Sequence, residues 1–148
     1  MKTSITGIAL IKKFEGLQLK AYKCSANRWT IGYGSTQIFG SSVNKDDLIT
    51  IEDAEAQFHL DLIVFENIVA KNIHVPLTQN QFDALVSHTY NTGGSEILFD
   101  LINNFAPSKE IRNWFETRYI TANRILLQGL IKRRKKEADL FFNRAIAE

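Results

Sequence analysis

The 148-residue sequence predicts an α+β chain: a small N-terminal β-hairpin lobe and a larger C-terminal helical lobe, joined by a long helix. Three observations carry that expectation. Apolar residues recur at spacings of three and four in several segments that begin with capping residues. Alternation of apolar and polar residues, with clustered glycines, is confined to residues 17–40. One segment, 52–72, has no Gly or Pro and as a helix would span roughly 30 Å, enough to connect two lobes.

In order, Ser4 is placed to cap a helix over 5–15, where Ile8, Leu10, Ile11 and Phe14 form a broad apolar face. Gly16 is its stop. Two short strands follow, at 17–22 and 29–33, with a polar turn between them. Gly32, Gly34 and Gly40 mark bends or close backbone approach. Thr50 opens a T-I-E-D capping box, and Ala54, Phe58, Leu62, Phe65 and Val69 form the stripe of the 52–72 helix. Pro76 breaks the pattern. Thr78 and Gln81 form a second box, ahead of a helix with Phe82, Leu85, Val86 and Tyr90 on its buried face. That helix ends at Asn91-Thr92-Gly93-Gly94. Shorter helices are expected at 96–103 and 108–118, with Pro107 between them, and a last one at 130–145. A single domain, 1–148, is expected. Its β-lobe covers about 15–50, its connecting helix about 52–72, and its helical lobe about 73–148 plus the N-terminal helix.

The composition is that of an ordinary globular chain, 45% hydrophobic and 23% charged. A net charge of +2 implies no general electrostatic partner, although Lys132, Arg133, Arg134, Lys135 and Lys136 are consecutive. The one cysteine excludes an internal disulfide and a cysteine-based zinc site. No window has the apolar length of a membrane span, and Lys12, Lys13 and Glu15 cut short the N-terminal apolar run, so no secretory signal is expected. His59, His74 and His88 lack metal-ligand spacing, so no metal or other cofactor is expected.

The chemistry concentrates in FEGLQLKAYKCSANRWTIGYGST, residues 14–36. Glu15 stands at a helix end. Cys24 follows after eight intervening residues and Thr30 after five more, both on the hairpin. A lone acid facing a small polar hairpin suits acid-catalysed bond cleavage. The same pattern fits an ordinary surface glutamate before a helix-stopping glycine, and spacing alone does not choose the catalytic reading. Cys24 likewise fits a small hairpin residue with no chemical role.

The string LIKKFEGLQLKAYKCSANRWTIGYGST closely resembles the active-site region of phage-type lysozymes, the endolysins that cleave bacterial peptidoglycan. Two further segments match in order: LTQNQFDALVSHTYNTGG and GLIKRRKKEADLF. The resemblance spans almost the whole chain. Its departures are Ser35 where histidine is common, His88 and Tyr90 in place of an aromatic pair, and a shortened Gly93-Gly94-Ser95 turn. It implies a lysozyme-like fold and hydrolysis of the β-1,4 bond between N-acetylmuramic acid and N-acetylglucosamine. Glu15 would be the general acid, with Thr30 and Cys24 positioning water. It also implies bacterial peptidoglycan as substrate, reached from the cytoplasm through a holin-type pore, and action on the cell wall by a monomer.

Tyr90 and Asn91 are candidate sugar contacts, as stacking surface and amide donor. A core tyrosine and a helix-terminal asparagine are the other readings. Tyr22 and Tyr33 are read as sheet packing, and Trp29 and Trp114 as core or interface residues. The basic run at 132–136 is read as a solvated helix face rather than a nucleic-acid site, because stacking aromatics are not interleaved with it. The alternative function is a catalytically weak or inactive peptidoglycan-binding module on the same fold, which Cys24 in the family's Asp-or-Cys position keeps open.

Overall fold

The computed structural model describes residues 1–142. Helix α1 (Ile5–Glu15) leads into strands β1 (Gln18–Lys23) and β2 (Trp29–Gly32), then β3 (Gln37–Ile38) and β4 (Ser41–Ser42). Helix α2 (Ile51–Asn72) follows, then α3 (Gln79–Thr92), α4 (Glu96–Asn103) and α5 (Ser108–Thr117). Strands β5 (Thr121–Ala122) and β6 (Ile125–Leu126) precede α6 (Gln128–Phe141). The α+β reading holds, with three two-stranded antiparallel sheets among the described residues, β1–β2, β3–β4 and β5–β6.

The caps form at the expected residues, although the box expected at Thr50 makes only the half in which the threonine accepts. Ser4 Oγ accepts from Gly7 N–H at 3.3 Å, Thr50 Oγ1 from Asp53 N–H at 3.1 Å, and Thr78 and Gln81 close a reciprocal box. Gly93 takes φ +86 at the end of α3, the left-handed conformation that lets its N–H return to Thr89 O. No described helix is long and apolar enough to cross a membrane.

Three expectations need correction. The β-structure is not confined to 17–40, because β4 lies just beyond it and β5–β6 forms a hairpin in the helical lobe. Its two-residue turn puts Asn123 at φ 51 and Arg124 at φ 66, the geometry that matches strand twist, but an Asn-Arg pair is a weak turn signal. Helix α3 is buried on every side, not on one face: all nine residues 82–90 are buried, Asp83, Ser87, His88 and Thr89 among them. Helices α1, α2 and α6 surround it, so its polar residues meet protein where a periodicity argument expects water. Finally, the last helix begins at Gln128 and its described part ends at Phe141; the expected end at residue 145 lies outside the described residues.

The main core runs through Ile11, Phe58, Leu85, Leu98, Phe115 and Phe141. Burying a side chain such as Phe58 contributes about 2–3 kcal/mol. A second, far smaller core under β1–β2 comprises Ala21, Ile31 and Val43. The two helices that frame the site are locked at their start: buried Asp83 accepts from Ser4 N–H at 3.0 Å and from the Ser4 hydroxyl, tying α1 to α3. Gly7 makes that approach possible, since a Cβ there would lie 2.7 Å from Asp83 Cγ.

Candidate active site

Glu15 is the last residue of α1, and Gly16 at φ +69 turns the chain sharply into β1. The carboxylate is only 14% exposed. Its Oε1 accepts from Arg133 Nη1 at 2.8 Å. Its Oε2 rests against Gly34, where an added Cβ would approach to 2.9 Å. The Arg133 guanidinium is thus in direct contact with the carboxylate at the C-terminal end of α1.

Arg133 belongs to a buried network absent from the sequence expectations. Its Nε donates to Glu137 Oε2 at 3.2 Å and its Nη2 to Ser87 O at 3.0 Å. Ser87 Oγ donates to Glu137 Oε2 at 2.5 Å. Arg134 donates to Glu137 Oε1, to Asn91 Oδ1 and, at 3.1 Å, to Tyr119 O. Glu137 and Arg134 are fully buried. The solvated-face reading of the basic run is therefore corrected: Lys132, Lys135 and Lys136 are exposed, whereas Arg133 and Arg134 point inward. The signal was present in R-R-K-K-E, which puts Glu137 four residues after Arg133 and three after Arg134, on one helix face.

A cavity of ≈ 400 Å³ opens beside the acid, lined by Phe14, Glu15, Asn91, Arg133 and residues 127–130. Asn91 is exposed at the end of α3. Tyr90 is only 9% exposed, packs on Phe58 and Phe65, and donates its hydroxyl to Tyr33 O at 2.5 Å. Burial, with the nearby Asp61 and Glu15 carboxylates, pushes its phenol far above the ordinary range. Tyr90 is thus placed as the core tyrosine of the two readings, not as an open stacking surface. His88 is completely buried against Phe115 and Tyr119, and burial pushes its pKa down to about 4, with Glu137 opposing and Arg134 and Arg133 adding to the shift.

On the β-side, Thr30 is buried in β2, paired across the strand with Tyr22. Its hydroxyl donates to Arg28 O at 3.0 Å. Cys24 is half-buried just past β1, its N–H bonded to Arg28 O at 3.0 Å. Burial raises the thiol pKa, but hydrogen bonds from the Arg28 backbone, the Thr30 hydroxyl and the Ala26 backbone outweigh it, so the net shift is downward. Thr30 has one hydroxyl proton, which can serve Arg28 O or the Cys24 sulfur but not both at once. Neither Cys24 nor Thr30 lines the cavity beside Glu15. Tyr22 links the two sides: burial first, then the charges of Glu15 and Cys24, push its phenol up. Among the described residues no group of three or more His, Cys, Asp or Glu could hold a metal ion.

Comparison with known proteins shows the family of the chain. Residues 12–137 match the family model described as phage lysozyme. The chain is 41% identical to an endolysin of Acyrthosiphon pisum secondary endosymbiont phage 1, over 95% of this chain and 98% of that one. It is 40% identical to an endolysin of Bacillus phage PZA, of which it spans 55%. The structure superimposes on an endolysin from Escherichia coli O157:H7 phage FAHEc1 with a TM-score of 0.80, at 37% identity, covering 97% of this chain and 94% of the other.

Proposed function

Since this chain belongs to the phage lysozyme family, glycoside hydrolases of the muramidase type, we propose that it hydrolyses the β-1,4 bond between N-acetylmuramic acid and N-acetylglucosamine in peptidoglycan. The observation that supports this most is the position of Glu15: a poorly exposed carboxyl at a helix end, on the wall of a cavity large enough for sugar. Cleaving a glycosidic bond needs an acid at the leaving oxygen and a water delivered to the anomeric carbon. Glu15 Oε2 is the oxygen that hands over the proton, because Oε1 is held by Arg133. The guanidinium stabilises the carboxylate left behind.

Thr30 and Cys24 position the water. The Thr30 hydroxyl, while donating to Arg28 O, retains lone pairs that accept from water. The Cys24 sulfur, half-buried just past β1, accepts weakly from the same water. Asn91, with its Oδ1 held by Arg134, presents its amide to the sugar, and Tyr90 braces that wall from behind. The chain works as one lysozyme-like domain and as a monomer, and a holin-type pore in the membrane gives it access to the wall.

Incubation with purified peptidoglycan tests the reading. Turbidity is expected to clear, and mass spectrometry of the fragments is expected to show reducing muramic ends. Anhydro-muramic ends would make the protein a lytic transglycosylase instead, and sedimentation without clearing would make it a binding module.

A further inference from the structure

We propose that Glu55 is a positioning residue for the acid, joining α1 near Glu15 to the 33–35 loop on which Glu15 Oε2 rests. The proposal depends on Glu15 being the general acid. Glu55 lies on α2 and is not among the residues that line the cavity. Its two oxygens reach in different directions. Oε2 accepts from Lys12 Nζ at 2.6 Å, and Oε1 accepts from the Tyr33 hydroxyl at 2.8 Å. Lys12 precedes Glu15 by three residues on α1, and its carbonyl accepts the N–H of Gly16 that ends the helix. Lys12 Nζ also lies 5.0 Å from the Tyr33 ring centroid and 5.1 Å from that of Phe58. One carboxylate thereby connects the helix that carries the acid to the residue before Gly34.

The loop is tied on both sides of Gly34. Tyr33 O accepts from Tyr90, and Ser35 Oγ donates to Asp61 Oδ2 at 2.6 Å. Ser35 also exchanges two backbone hydrogen bonds with Ile31, each 2.8 Å. Gly34 itself stays open toward Glu15, at φ +82, where a side chain is both strained and obstructed. Because Arg133 fixes Oε1, the loop fixes the outlet of Oε2. A shift of the loop relative to α1 therefore changes the direction in which the proton leaves. The Lys12–Glu55 pair is partly exposed, at 27% and 36%, and pairs of that kind add little to stability. Stability alone thus gives little reason for the arrangement; alignment does.

The test measures kcat and KM separately on dye-labelled soluble peptidoglycan fragments, for Glu55→Gln, Tyr33→Phe and the double variant. Misalignment of a proton donor is expected to lower kcat by about 10–100-fold in each single variant, with KM changed by less than about threefold. The double variant is expected to be no worse than the poorer single variant, because both cut one chain of contacts. A merely structural role predicts lower melting temperatures with kcat unchanged at a temperature where every variant is folded. If kcat stays within about twofold of the parent in either single variant, or if the losses fall on KM alone, the proposal is overturned. Tyr33→Phe removes one hydroxyl only, so it decides by the same criterion should Glu55→Gln not fold. Glu15→Gln is measured alongside, and its retaining activity would overturn the assignment of the acid itself, independently of the Glu55 result.

Discussion

The two sides of the molecule that meet near Glu15 are built in opposite ways, and the cavity is lined from the helical one. The other, the β-wall, carries Cys24 and Thr30 on a short hairpin over a core of Ala21, Ile31 and Val43. Thr30 and Cys24 bond to a near neighbour in sequence, both to Arg28 O. The helical wall holds Glu15 through Arg133, which is itself held by Glu137 on its own helix and by Ser87 on α3. Those partners are separated by up to 118 positions. The difference is one of rigidity and cost. A locally bonded, half-exposed wall tolerates exchange of its groups, whereas a buried charged network has low dielectric around it and is strongly destabilised by loss of one member.

The sharpest way to break the comparison is Glu15→Gln. The amide is nearly isosteric but has no usable acidity, so hydrolysis is expected to fall by 10²–10⁴-fold, about the contribution of a general acid. The fold is expected to survive, as judged by circular dichroism and thermal unfolding. Near-parental clearing of peptidoglycan by a folded Glu15→Gln protein would remove Glu15 from the mechanism.

Next is Glu137→Gln, which tests the helical wall without touching the acid. Removing this fully buried charge leaves Arg134 and part of Arg133 uncompensated, and a loss of about 3–5 kcal/mol is expected in urea unfolding. A loss under about 1 kcal/mol would show that water reaches the network and that the wall is not dry.

A third effect separates the walls by pH. His88 titrates at about 4 in the folded protein against an ordinary 6.5. The unfolded chain then binds the extra proton first, so stability is fully present above about 6.5 and is lost as pH falls toward 4. The contribution is about 3 kcal/mol as an order of magnitude. Urea midpoints between pH 7 and 5 are expected to decline less in His88→Leu than in the parent, and equal slopes would contradict the assignment.

The smallest expected effects lie on the β-wall. Cys24→Ala is expected to lower activity by about 10-fold, at the low end for a group that orients water, with little change in melting temperature. Cys24→Asp is expected to keep or raise activity, because a carboxylate accepts from water more strongly. Alkylation of the half-buried thiol is expected to inactivate. Cys24→Ala with parental rates at several pH values would leave Glu15 and Thr30 as the chemical set.

Much of the architecture was legible because it depends on neighbours along the chain. Caps at Ser4, Thr50 and Thr78, the stop at Gly16 and the period of 52–72 are local effects, and each appears where the pattern puts it. The β5–β6 hairpin escaped because two-residue strands carry almost no periodicity. The burial of 82–90 escaped because polar residues at 83, 87, 88 and 89 read as a wet face when nothing says what covers them.

The sequence by itself determined the spacing of Glu15, Cys24 and Thr30, since a helix end and the hairpin after it are short-range structures whose geometry follows from the intervening residues. Only the tertiary structure decided which charges serve the acid. Five consecutive basic residues look alike in the sequence, and the helix turns three of them to water and two inward. The inward pair is tolerated because Glu137, Ser87, Asn91 and Glu15 converge on it from three other points of the chain and from its own helix. Burying a guanidinium is unfavourable unless its donors are satisfied, and that satisfaction exists only once α1, α3 and α6 have packed together.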